Sequence, residues 1–133
     1  MAKIFMAEDD ALVARMYENA FKLSGHEINL AVDGEDALEK LKTIFPRPDI
    51  ILLDMMMPKL SGLDVIKKIK LEEGLKEFAN IPIVITTNLP KLTIAEDVEK
   101  AIQLGAIEYF LKSALDPLEF VKKIEEIISK QRK

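Results

Sequence analysis

The chain has 133 residues, 49% of them hydrophobic and 32% charged, with a net charge of −4. That length suits one domain, and the balance is that of a folded protein rather than a disordered one. The acidic balance argues against broad nucleic-acid binding, which needs excess Lys and Arg against phosphates. The absence of cysteine excludes disulfides and thiolate metal sites. Met1 to Met6 is too short an apolar stretch, ahead of Glu8-Asp9-Asp10, to read as a signal peptide. No segment approaches the ~20 apolar residues of a membrane span. The expectation is a soluble cytoplasmic protein with no nucleic-acid or membrane partner.

In chain order, Ile4 to Ala7 reads as a first strand. Leu12, Met16, Ala20 and Leu23 recur at spacings of three and four and predict a first helix with those residues facing inward. Ser24-Gly25 ends it. Ile28 to Ala31 predicts a second strand, Asp33-Gly34 a turn, and Ala37, Leu38, Leu41 and Ile44 a second helix. Pro46 and Pro48 bracket the approach to Ile50-Ile51-Leu52-Leu53, the third strand. Leu63, Ile66, Ile69 and Lys70 open a third helix, and Ile83 to Thr86 is a fourth strand. Ala95, Val98, Ala101, Ile102 and Leu104 predict a fourth helix, and Ile107 to Leu111 a fifth strand. Asp116-Pro117 looks like an N-cap followed by proline at the first helical position. Leu118, Val121, Ile124, Ile127 and Ile128 give the fifth helix. Five short apolar strands alternating with amphipathic helices predict an α/β fold: an open parallel sheet, right-handed crossovers, and helices on both faces.

Ligands of such sheets bind at the carboxyl ends of the strands. Glu8, Asp9 and Asp10 follow the first strand, Asp54 the third, Thr86-Thr87-Asn88 the fourth, and Lys112-Ser113 the fifth. One sheet edge therefore gathers carboxylates, hydroxyls and a lysine. Carboxylates held close together repel, and a hard divalent cation with oxygen ligands relieves the repulsion. A small cluster with room for water and a phosphate suits Mg²⁺ better than an all-protein calcium cage. Lys112 can pair with a carboxylate or with a phosphoryl group placed on it, and the Thr87 hydroxyl can donate to a phosphoryl oxygen.

These residues carry a resemblance. Ile4-Phe5-Met6-Ala7-Glu8-Asp9-Asp10 resembles the opening of a response-regulator receiver domain, of the stand-alone, chemotaxis-regulator-like kind. So does Leu52 to Gly62, where proline and glycine follow Asp54 at the family's spacing. Ile81-Pro82 leading to Thr87, Leu104-Gly105-Ala106, and Tyr109-Phe110-Leu111-Lys112 complete a match over essentially the whole chain. The resemblance implies a flavodoxin-like (βα)₅ sheet of order 2-1-3-4-5 and a single receiver domain over residues 1–133 with no output domain. It implies phosphorylation of Asp54, with Mg²⁺ held by Asp9, by Glu8 directly or through water, by Asp54, and by the backbone carbonyl of Met56. Thr87 and Lys112 would bind the phosphoryl group, and Thr87 and Tyr109 would form the switch. Met56 and Leu89, both apolar, would tune dephosphorylation and make it slow. A histidine kinase or phosphotransfer protein would be the donor. The face formed by the fourth helix, fifth strand and fifth helix would meet a downstream effector, with the chain a monomer or weak dimer. Two departures stand out: Ser113 replaces a proline that many relatives carry, and Asn88 to Leu104, with Pro90, is longer than usual.

Each residue alone also has a plainer reading. Glu8-Asp9-Asp10 is also a solvated helix start with Asp10 as N-cap, Asp54 a turn cap, Lys112 a surface lysine, Thr87 a strand end and Tyr109 core. Those readings require several unconnected coincidences at one sheet edge. His26, in a turn, has no second metal-ligating partner; Met55-Met56-Met57 reads as loop and adaptable packing; Lys130 to Lys133 reads as a basic helix terminus. A Mg²⁺-dependent phosphatase with an aspartate nucleophile generally carries a second acid two residues on, where Met56 stands. A flavin or nucleotide binder would need a Gly-rich loop after the first strand. A docking-only receiver would lack Asp54 or Lys112.

Overall fold

A computed structural model describes residues 1–78, 80–87, 95–112 and 116–131. Leu89, Pro90 and Ser113 lie outside the described residues. Five parallel strands, β1 (Lys3–Ala7), β2 (Glu27–Ala31), β3 (Ile50–Asp54), β4 (Ile83–Thr87) and β5 (Ala106–Leu111), form one sheet of order β2-β1-β3-β4-β5. Five helices connect and follow them: α1 (Ala11–Leu23), α2 (Gly34–Thr43), α3 (Gly62–Leu71), α4 (Ala95–Leu104) and α5 (Pro117–Gln131). Each strand matches its predicted apolar run to within one residue at either end. β3 and β4 are buried along their whole length, which is why Ile-Ile-Leu-Leu shows no polar alternation.

Alternation along the strands builds two cores. Ile51, Leu53, Ile83 and Ile85 pack with Ala37, Leu38 and Leu41 of α2, Val65, Ile66 and Ile69 of α3, and Val98 and Ala101 of α4. Ile4, Met6, Ile50, Leu52 and Val84 pack on the other face with Tyr17, Ala20 and Phe21 of α1 and Phe120, Val121, Ile124 and Ile128 of α5. Tyr17 and Phe21 lie 4.9 and 6.2 Å from Phe120, ring centre to ring centre. His26 ties this side together: its Nδ1 accepts from Ala2 N at 2.9 Å, and its Nε2 lies 2.7 Å from Glu125 Oε2 on α5.

One predicted face is corrected. In α1 it is Ala14, Tyr17, Ala20 and Phe21 that are buried, while Leu12 and Leu23 are 82% and 83% exposed and Met16 is 43% exposed. The helix carries two apolar stripes that share Ala20. The stripe with the aromatics faces the sheet because Tyr17 and Phe21 bury more surface and stack on Phe120. Leu118 and Ile102, also predicted to face inward, are exposed.

The loop after β3 is held by close backbone approach. Gly62 N donates to Met55 O at 3.1 Å, and a Cβ on Gly62 would lie 2.6 Å from the carbonyl oxygen of Asp54. Ser61 then caps α3 in a reciprocal box with Asp64. Gly62→Ala should destabilise the fold by about 1–3 kcal/mol, since neither β3 nor the helix start can retreat from the added methyl. A lowered urea midpoint at unchanged slope is the expected result.

Candidate functional site

The polar residues predicted at the strand ends meet in one cleft. At the end of β1, Glu8 N donates to Ala31 O at 3.0 Å, holding the chain beside β2 for one residue more. Asp10 N donates to Glu8 Oε2 at 3.1 Å, and the Asp10 carboxylate accepts from Leu12 N and Val13 N at 3.0 and 3.2 Å. Asp10 is therefore the N-cap of α1. Asp9 between them is exposed. Asp54 closes β3, with Oδ1 accepting from Met56 N at 3.1 Å and Oδ2 from Lys112 Nζ at 2.9 Å. The same ammonium also bonds Glu8. Glu8, Asp9, Asp10, Asp54, Met56, Thr87 and Lys112 line a cleft of about 390 Å³.

The two acids bound by Lys112 are buried, Glu8 2% exposed and Asp54 4%. With all three groups charged the cluster carries one excess negative charge away from water. Burial therefore pushes the Asp54 carboxyl up to about 7; the bond and charge of Lys112 oppose the rise, and the Glu8 charge adds to it. Burial alone would lower the Lys112 ammonium, but its bonds to Glu8 and Asp54 outweigh that and raise it, so it stays protonated.

Thr87 is fully buried at the end of β4. Tyr109 does not line the cleft; it is half-buried against the core on the α2–α4 side. Of the methionines after Asp54, Met55 is buried, while the Met56 side chain is 57% exposed beside the acids. Of two further buried hydroxyls, the sequence places Thr86 at the strand end without a role and does not single out Tyr17. Tyr17 of α1 is buried, and its hydroxyl is raised first by that burial, with Lys112 opposing and Glu8 adding, so it feels the field of the pair. Thr86 is fully buried with an unpaired hydroxyl. Nothing in helical periodicity distinguishes Tyr17 from ordinary core.

Among the described residues, Glu8, Asp9 and Asp54 each offer a carboxylate oxygen, all within 4.8 Å of one another. The set is all oxygen, with no nitrogen or sulfur donor, and so fits a hard cation such as Mg²⁺. The excess negative charge of the cluster points the same way. No helix among the described residues is long and apolar enough to cross a membrane.

Comparison with known proteins agrees with this geometry. Residues 4–125 match the family model described as the response regulator receiver domain. The chain is 33% identical over 128 residues to the chemotaxis protein CheY of Treponema pallidum, covering 96% of this chain and 81% of that one. It spans about half the length of the curated transcriptional regulators it also matches. The phosphorylated cyanobacterial phytochrome response regulator RcpA superposes with a TM-score of 0.79 at 32% identity, over 94% of this chain and 91% of that one. The Mn²⁺-bound form of response regulator Rcp1 superposes with a TM-score of 0.76 at 30% identity, over 94% and 92%.

The raised Asp54 carboxyl makes stability depend on pH. Between the unfolded value of 3.8 and the folded value of about 7, the folded chain holds the extra proton. Stability from this group is thus present below the lower value and lost as pH rises through the upper one. Asp54→Asn removes that loss. Without divalent cations, the variant should exceed the wild type by on the order of 1–3 kcal/mol at pH 8, and the gap should close towards pH 4. Thermal unfolding across that range measures it.

Proposed function

Because the chain belongs to the response regulator receiver domain family, a signalling switch of two-component systems, we propose that Asp54 is its phosphoacceptor, with a partner histidine kinase or phosphotransfer protein as donor. The observation that carries this reading is the setting of Asp54: a strand-end carboxylate fixed by Met56 N and Lys112, with Glu8 and Asp9 beside it in one cleft. A carboxylate oxygen of Asp54 attacks phosphorus. An O–P bond forms as the P–N bond to the donor imidazole breaks, the electron pair leaves on that imidazole, and the imidazole takes a proton from solvent. Asp9, Asp54 and the Met56 carbonyl, with Glu8 direct or through water, would hold Mg²⁺. When bound, the ion neutralises charge on the phosphoryl oxygens. Support for both parts comes from the relatives, of which one is a phosphorylated regulator and another a Mn²⁺-bound one.

The chain's own groups then do the following. Lys112 stays beside the modified Asp54 and balances the phosphoryl charge. The Thr87 hydroxyl donates to a phosphoryl oxygen, drawing β4 inward and opening space for the half-buried Tyr109. The face of α4, β5 and α5 shifts population, and a downstream effector reads the change. Met56 offers no group that orients water, and Leu89, outside the described residues, offers none by its chemistry, so the acyl phosphate is long-lived. The absence of cysteine fits a reducing cytoplasm as the place of work.

Intact-protein mass after incubation with a small-molecule phosphodonor tests this. One phosphoryl group should be gained with Mg²⁺, lost without it, and absent from Asp54→Asn. Its decay should be several-fold faster in Met56→Asn. A gain that persists in Asp54→Asn sinks the assignment, and equal decay sinks the role of Met56.

A further inference from the structure

Thr86 sits beside the threonine assigned above and faces the other way. Val84, two residues earlier, packs in the α1–α5 core, whereas Ile83 and Ile85 pack in the opposite one. Alternation therefore turns the Thr86 side chain towards α1 and α5. In the parallel pairing Thr86 stands between Asp54 on β3 and Phe110 on β5, and neighbouring strands lie only about 4.8 Å apart. Lys112 follows two residues after Phe110, yet its ammonium bonds Asp54 and Glu8. With the sheet ordered β1-β3-β4-β5, its aliphatic stem must cross the end of β4 to reach them.

Thr86 is fully buried, and its Oγ1 is the one buried side-chain nitrogen or oxygen among the described residues without a hydrogen-bond partner. Such a hydroxyl destabilises the state in which it is unpaired. Valine has the same shape without the penalty, so the hydroxyl contributes favourably only in a state where it is bonded. The resting site gives Lys112 two partners, and an ammonium has three N–H donors. Phosphorylation converts the Asp54 carboxylate, a charged acceptor, into an acyl group and moves negative charge out to the phosphoryl oxygens. Lys112 must then re-aim while its stem lies across β4.

We propose that Thr86 is a latent positioning residue, unpaired while Asp54 is a free carboxylate and accepting a hydrogen bond from the Lys112 ammonium once Asp54 is phosphorylated. This rests on the reading of Asp54 as phosphoacceptor. The test compares full-length wild type, Thr86→Val and Thr86→Ser by two readouts: the melting temperature of the unmodified protein, and affinity for beryllofluoride, a phosphoryl mimic, in the presence of Mg²⁺. Thr86→Val should melt higher than wild type yet bind beryllofluoride roughly tenfold more weakly, the worth of one hydrogen bond to a charged group. Thr86→Ser, which keeps the hydroxyl, should bind near the wild-type affinity. Wild-type affinity in Thr86→Val overturns the proposal, and so does equal weakening in Thr86→Ser, which marks a packing effect; either leaves the phosphoacceptor reading intact. If the wild type takes up no beryllofluoride, the phosphoacceptor reading falls and this inference falls with it.

Discussion

The bridge made by Lys112 is the constraint on which the rest of the site depends. Its ammonium leaves the end of β5, crosses β4, and bonds Asp54 on β3 and Glu8 just past β1. The parallel order β2-β1-β3-β4-β5 brings residues 8, 54 and 112 within reach of one side chain. The order β2-β1-β3-β4-β5 places β3 and β4 in the middle, where both faces must be apolar, and the sequence there is Ile-Ile-Leu-Leu and Ile-Val-Ile. In β3 and β4 the polar side chains are confined to the last residue or two, and so collect at one edge.

That collection works against stability. Two carboxylates lie out of water with a single cation between them, and one excess negative charge remains. A buried pair of this kind is weak evidence for stability and better evidence for use. The structure tolerates it because the surrounding frame is rigid. Asp10 caps α1 directly beside Glu8, Ser61 caps α3 beyond the loop that follows Asp54, and Gly62 lets that loop lie flat on β3. The apolar cores beneath are close-packed on both faces of the sheet. Stability lost at the strand ends is thus offset below them, and the same rigidity fixes the distances between the acids.

Much of this was legible in the sequence because strand signals and strand-end residues are local. Ile50 to Leu53 reads as a buried strand without reference to anything else, and Asp54 is then at its end by position alone. The α1 face was not legible, because Leu12, Met16 and Leu23 make as good a stripe as Ala14, Tyr17 and Phe21. Only the presence of Phe120, about a hundred residues away, decides between them. His26 was passed over for the same reason: its partners, Ala2 N and Glu125, lie at opposite ends of the chain. That Lys112 serves Glu8 and Asp54 together, with the burial that raises the Asp54 carboxyl, follows from three-dimensional crowding that no spacing encodes. Sequence alone leaves Asp10 between two roles, and its bonds to Leu12 N and Val13 N decide for the cap.

Glu8, Asp9, Asp54 and Lys112 form one electrostatic unit whose excess negative charge a divalent cation would offset. Calorimetric titration of Mg²⁺ into the unphosphorylated protein tests it most directly, with Asp9→Asn as the comparison. Asp9 is exposed and accepts no hydrogen bond among the described residues, so its replacement changes the charge without disturbing the core. One Mg²⁺ should bind per chain in the wild type, with binding weakened by about tenfold or more in the variant. Equal binding by both proteins, or none by the wild type, would contradict it.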